Sequence, residues 1–318
     1  MANTISYAQI LQNALDKQMV HESLTGWMDA NAGQVKYNGG KEVKIPQLSM
    51  DGLANYDRQA DSGYTKGSIK YEYKTYSMTQ DRGRKFQIDS QDVDETNFVL
   101  TATTIMGEFQ RTKVIPEVDA YRLSKLATTA MGVANDENVE YGYTVANSTD
   151  IAKIKKGIKT LREKCHNGTL VIMCNYDTQL AIEEAALGKL ASVSFSQGGI
   201  NTKVPAIDGC PIIPVPQNRL YSAIQLYDGS TSGQTTGGYI KATSGLDVNF
   251  LIMPLDLPLA VTKQDIMRIF DPETNQSANA WAMDYRRYHD LWVLESKKEG
   301  VYANIKDAKP TQSELSIF

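Results

Sequence analysis

Residues 43–88 read VKIPQLSMDGLANYDRQADSGYTKGSIKYEYKTYSMTQDRGRKFQI. Apolar and polar residues alternate through Val43-Lys44-Ile45, and again where Ile69, Tyr71 and Tyr73 are separated by Lys70 and Glu72. A period of two marks a half-buried strand. Pro46 confines its strand to an edge or an end, because proline cannot donate to a sheet ladder. A polar stretch from Asp51 to Gly63 lies between these runs, and after Asp81-Arg82-Gly83-Arg84 the alternation resumes at Phe86 and Ile88. The block predicts a long antiparallel ribbon with a polar tip. Two strands alone are marginal in water, so such a ribbon needs a surface to lie on. Either its own chain supplies that surface or another subunit does.

Upstream, residues 4–20 carry a helical period, with Ile5, Ala8, Leu11 or Gln12, Leu15 and Met19 spaced by threes and fours. Thr25–Gly40 contains Gly26, Gly33, Gly39 and Gly40 and reads as loop, so the first 42 residues are expected to form an arm rather than part of a core. Downstream, Asp92-Val93-Asp94-Glu95 crowds carboxylates where a helix begins, which complements the helix dipole. Phe98, Ala102, Ile105 and Phe109 continue the helical spacing, which resumes through Tyr121, Leu123 and Leu126 to about Ala130. Pro116 falls inside this span and must either kink one long helix or open a second at its first turn.

From Asn147 the pattern changes. Asp150 is placed to cap a helix with the stripe Ile151, Ile154, Ile158 and Leu161, and Gly168 to end it. Leu170–Cys174 reads as a buried strand, Asp177–Leu190 as a helix, and Asn201–Val215 as two strands around an Asp208-Gly209 turn. Residues 228–238, DGSTSGQTTGG, read as a flexible loop. Val248–Met253, Leu257–Thr262 and Trp281–Leu294 are candidate strands, and Lys297–Gly300 is expected to turn the chain into a closing hairpin with Val301–Ile305.

The chain has 318 residues, 42% of them hydrophobic, and a net charge of −4. It can bury a core, lacks the basic excess of a dedicated nucleic-acid binder, and contains no apolar run near the ~18 residues of a membrane span. Three cysteines, Cys165, Cys174 and Cys210, are too few for a disulfide framework and lack metal-ligand spacing, so buried thiols and folding inside a cell are expected. No phosphate-binding loop, dinucleotide fingerprint or nucleophile elbow is present. His21, His166 and His289 are scattered, and His289-Asp290 should face opposite ways on a strand. No enzymatic activity and no cofactor are expected. The lysines of 153–164 are read as a solvated helix face and the carboxylates Asp89–Glu95 as a helix start. Residues 57–85 carry seven basic side chains against four acidic, a net of +3, whereas 86–118 carry two against six, a net of −4. A basic ribbon followed by an acidic helix suits pairing between copies of the chain.

The stretches VKIPQLSMDGLANYDRQADSGYTKG, DRGRKFQIDSQDVDET, EFQRTKVIPEVDAYRLSKLA, AIDGCPIIPVP and WAMDYRRYHDLWVLESKKEGVYANI, in that order, resemble major capsid proteins of tailed bacteriophages. The resemblance runs from about Val43 to Ile305. It implies the α+β Hong Kong 97-type capsid fold: an N-terminal arm (1–42), an extended loop (43–88), a spine helix opening the peripheral domain (89–134), an axial domain (135–240) and peripheral C-terminal strands (241–318). It implies a virion protein whose copies form pentamers and hexamers of an icosahedral shell around double-stranded DNA, assembled in the host cytoplasm. Portal and decoration proteins are the further partners, along with a separate scaffolding protein because the arm starts at residue 1. An encapsulin-type protein compartment is the alternative. Expected contacts between subunits are Asp57, Arg58, Arg82 and Arg84 from the loop region and Asp94, Glu95, Glu108, Arg111 and Glu117 from the spine.

Overall fold

The run Leu170–Cys174 is apolar at every position because both of its faces are covered. The computed structural model describes residues 23–34, 41–56, 58, 63–89, 102–146, 149–164, 166–186, 190–197, 200–275 and 278–310. Its strands are β1 (Glu42–Met50), β2 (Ile69–Ser77), β3 (Gln80–Asp89), β4 (Val139–Glu140), β5 (Leu170–Asn175), β6 (Ala191–Gln197), β7 (Ile200–Ile207), β8 (Cys210–Val215), β9 (Ile224–Leu226), β10 (Tyr239–Lys241), β11 (Val248–Pro254), β12 (Leu259–Phe270), β13 (Ala280–Trp292) and β14 (Tyr302–Ile305). Its helices are α1 (Ala102–Phe109), α2 (Ile115–Met131), α3 (Asp150–Glu163) and α4 (Tyr176–Ala186).

One sheet has the order β4-β14-β11-β5-β8-β7-β6 and a second the order β12-β13-β3. In β5, Val171 and Met173 face a core built with Leu123, Leu126, Ala127 and Ala130 of α2. Leu170, Ile172 and Cys174 face the opposite way, onto Ile154, Ile158 and Leu161 of α3. A strand buried on both faces loses its alternation. Burial pushes the Cys174 thiol up to about 12. The expected stripe of α3 is the one that packs, although the N-cap is Thr149. The Asp150 carboxylate instead accepts from the Ala146 N–H and the Tyr143 hydroxyl, and burial raises its pKa. The Asp208-Gly209 turn joins β7 to β8 with both residues at positive φ (51° and 78°), as a two-residue hairpin requires.

The helix through Pro116 neither kinks apart nor restarts. A π turn, Gln110–Val114, joins α1 to α2, and the Ile115 N–H reaches back to the Gln110 carbonyl. Widening the turn just before proline removes the steric demand that a strict i→i−4 ladder would meet. α2 then bridges the two sheets: Tyr121 touches β13, while Leu126 and Ala130 belong to the core of the larger sheet.

Three expectations are corrected. Residues 23–34 are not a detached arm: Trp27 and Met28 are buried in the central core, and Gly26–Gln34 forms a 3₁₀ helix. Asp119 of α2 accepts from Ser23, Leu24 and Thr25, and Arg122 donates to Asp29 at 2.7 Å. Next, β3 does not return along the ribbon. β1 pairs with β2, and β3 leaves to pair with β13, where Gly83 lets the strand approach the Tyr285 carbonyl. Finally, β14 does not form a hairpin with β13. Both edges of β13 are taken by β12 and β3, and β14 instead pairs with β11 and β4, where α2 and α3 cover its two faces. The helix expected over 4–20, the helix start at 92–101 and Cys165 lie outside the described residues.

Gly157 of α3 lies where a Cβ would sit 2.8 Å from both Ile252 and the Tyr302 ring. Gly157→Ala should therefore destabilise the protein by about 1–3 kcal/mol in urea unfolding, against the gain that helix propensity alone would give.

Candidate functional site

The β1–β2 ribbon reverses its apolar face along its length. Residues directly opposite in the register share a face. Val43 lies opposite Tyr76 and Ile45 opposite Lys74 on one face; Leu48 lies opposite Tyr71 and Met50 opposite Ile69 on the other. At the base, Val43 and Ile45 are buried with Met78 against Leu259, Val261, Tyr288 and Trp292 of β12 and β13. The Tyr76 and Trp292 rings lie 5.9 Å apart, and Lys74 pairs with Glu295. Lys298 and Lys74 hold the Glu295 carboxyl down at about 2. Beyond residue 46 the apolar side chains point the other way and are uncovered: Leu48 is 55% exposed, Met50 64%, Ile69 71%, Tyr71 59% and Tyr73 54%. The reversal is written in both strands, as odd-numbered Val43 and Ile45 giving way to even-numbered Leu48 and Met50, and odd-numbered Tyr71 and Tyr73 to even-numbered Tyr76 and Met78. Reading each apolar run for its parity would have found it.

The tip is built by its own hydrogen bonds. The Asp51 N–H donates to the Ser68 carbonyl and the Ser68 N–H to the Asp51 carboxylate at 2.7 Å. Tyr56 and Tyr64 meet edge to face at 4.9 Å, and Gly63, at φ +64°, passes beneath the Tyr56 ring where no Cβ would fit. Leu53, Tyr56 and Tyr64 are exposed there. One face of the ribbon and its tip together present a continuous set of large apolar side chains with no cover from the rest of the described chain.

What holds the ribbon's foot is a buried carboxylate. Asp290 is fully buried and accepts from the Thr79 N–H and hydroxyl (2.9 Å each), the Tyr121 hydroxyl (2.8 Å), Lys125 Nζ (2.5 Å) and the Leu291 N–H (2.7 Å). Burial alone would push Lys125 down, but the Asp290 charge outweighs it and its pKa is raised. Burial and Asp290 both raise Tyr121. β2, α2 and β13 thus meet on one charge. His289 turns its ring to Tyr121, 5.7 Å between centroids, and its Nδ1 is buried with no partner. Burial, then Arg287, Arg122, Lys125 and Arg82, hold it well below the ordinary imidazole value, so it is neutral in the fold.

The residues expected to reach between subunits are distributed as follows. Arg82 donates to both oxygens of Glu117 (2.6 and 3.1 Å) and to the Tyr227 carbonyl within one chain. Arg84 donates to the Thr235 carbonyl. Arg111 and Glu108 pair with each other on the π turn and α1. Arg58 is exposed at the tip. Asp57, Asp94 and Glu95 lie outside the described residues. Among the described residues no three His, Cys, Asp or Glu side chains are grouped to hold a metal ion, and no helix is long and apolar enough to cross a membrane.

No protein-family model and no curated protein matches the chain. Solved structures do. The capsid structure of the Cyanophage P-SCSP1u is 10% identical with a TM-score of 0.59, over 84% of this chain and 83% of that one. A structure from Mycobacterium phage Che8 is 14% identical with a TM-score of 0.57, over 85% and 86%. The asymmetric unit of the bacteriophage PhiM1 mature capsid is 11% identical with a TM-score of 0.55, over 84% and 82%. The chain has the α+β fold of these phage structures over most of its length.

Asp290→Ala leaves Lys125 without its counter-charge and four other donors unmet; chemical denaturation should show a loss of about 3–5 kcal/mol. Because His289 is neutral in the fold and free to protonate when unfolded, stability should fall as pH drops below roughly 6.5, and His289→Gln should flatten that slope.

Proposed function

We propose that this chain is the major capsid protein of a tailed bacteriophage, self-assembling into pentamers and hexamers of an icosahedral head that encloses double-stranded DNA. The observation that carries the reading is the uncovered apolar face of the ribbon, opposite the face that its own body buries. An exposed apolar surface of this extent marks an interaction site. The fold shared with phage capsid structures supports a second copy of the chain as what covers it. In this reading residues 43–77 reach over a neighbouring subunit, 135–240 form the axial domain, and α2 with the 241–318 strands forms the peripheral domain.

Covering Leu48, Met50, Ile69, Tyr71 and Tyr73 supplies the larger energy, about 1.5–3 kcal/mol for each side chain fully removed from water. Exposed ion pairs add little to that and set register instead. Arg58 at the tip, and Glu108 and Arg111 on the neighbour's helix, are assigned to that role, together with Asp57, Asp94 and Glu95 by their place in the sequence. Arg82 and Glu117 satisfy one another within the chain, so the basic ribbon pairs across subunits through its outer residues.

Negative-stain microscopy of purified protein tests the reading. Closed shells or rings of five and six subunits are expected, and monomers under every assembly condition would overturn it. Leu48→Asp with Tyr71→Asp should abolish these particles while leaving the circular dichroism spectrum and unfolding midpoint of the subunit unchanged. Nucleic acid rather than protein cargo is expected inside particles purified from infected cells.

A further inference from the structure

The loop Asp228–Gly238 is not the unstructured segment its composition suggests. It is stiffened from within: the Asp228 carboxylate accepts from the Ser230 and Thr231 N–H groups and from the Thr231 hydroxyl, which depresses its pKa. The Gln234 N–H donates to Thr231 and the Gly237 N–H to Gln234. Its two ends are joined where the Tyr227 N–H meets the Gly238 carbonyl, so the loop is a preformed flap on a narrow stem, β9–β10. Yet no residue from Tyr227 to Ile240 is buried. Apolar packing does not hold the flap down, although it lies across a cavity of about 870 Å³ between β3, β13 and the long helix.

What fastens it is a pair of arginines on one face of β3. Arg82 donates to the Tyr227 carbonyl at 2.9 Å and the Gly238 carbonyl at 3.4 Å, gripping both ends of the stem, and its fork is fixed by Glu117 of α2. Arg84, two residues on, donates to the Thr235 carbonyl at 3.2 Å near the flap's far end. Its guanidinium lies where a Cβ on Gly229 would come within 3.2 Å and one on Gly237 within 3.7 Å. Both glycines have positive φ, so they supply the turn and the room together. The flap is wrapped around Arg84.

We propose that Arg82 and Arg84 form an electrostatic latch that closes residues 228–238 over the cavity and straps the body carrying β9 and β10 to the β12-β13-β3 sheet. Arg82 is the partly buried pivot. Arg84, exposed to solvent, is the releasable half, because at high salt dissolved anions compete with the neutral Thr235 carbonyl for its guanidinium. With Arg84 released, the flap turns about its stem and opens the cavity, and the joint between the sheets keeps the Arg82 pivot along with α2 and its core contacts. This latch lies within a single chain and does not depend on the shell reading.

Hydrogen–deuterium exchange of the full chain, read by mass spectrometry at low salt and at ~1 M salt, tests it. In the native sequence, exchange of the amides of 229–238 should rise about tenfold with salt, while β5 and α3 stay unchanged. Arg84→Ala should show the fast exchange at low salt and no further response. Arg84→Lys, which keeps the charge but not the fork, should fall between the two. Equal protection of the loop in the native chain and Arg84→Ala would overturn the latch, as would protection in the native chain that salt does not change.

Discussion

A two-stranded ribbon has two faces, and the body that carries it can cover one of them only where it lies against that body. Here the apolar residues obey that geometry. Near the foot they point at β12 and β13; farther out they move to the opposite face, where nothing in the described chain meets them. On the proposed reading, apolar side chains on a face the described chain does not bury are allotted to another copy. The foot must be rigid for the far end to be aimed, and Asp290 provides this by tying Thr79, just past β2, to α2 and β13 through one desolvated charge. Truncating any one donor leaves the others in place, whereas the carboxylate itself has no substitute.

The long helix is the second organising element. Its π turn lets it pass Pro116 without a break, so one continuous element touches both sheets. The two buried acids, Asp119 with the 23–25 segment and Asp290 with the ribbon foot, lie on opposite sides of α2's contacts and lock the leading segment and the ribbon to the same scaffold. Between these fixed points, the Arg82–Glu117 pair and the flap beyond it form a softer connection, made of polar contacts near solvent.

Several elements could be read directly from residue pattern. The stripe Ile154, Ile158 and Leu161, the apolar run of β5, the Asp208-Gly209 turn and the ribbon strands follow from local periodicity and turn chemistry, and all appear where those rules put them. The misreadings share a cause. Trp27 and Met28 sit among glycines, so composition suggested an arm, but their burial depends on a pocket made by residues a hundred or more positions away. β3 and β14 have ordinary strand patterns, and which edge each joins depends on which edges other strands have already filled. Arg82 and Glu117 are expected as contacts between subunits but pair within one chain, because charge pattern carries no information on whether two side chains meet within a chain or between chains.

The sequence by itself determined the element types, the order of an α+β chain and, through the parity switch in β1 and β2, that the ribbon has two differently assigned apolar faces. These are local properties, fixed by side-chain period and backbone preference over a few residues. Only the tertiary structure decided that the leading segment belongs to the core, that β3 leaves the ribbon for another sheet, and that the arginines of β3 close on a loop some 150 residues onward. Those outcomes rest on which surfaces remain open after the rest of the chain has packed, a competition that no short stretch of residues can express.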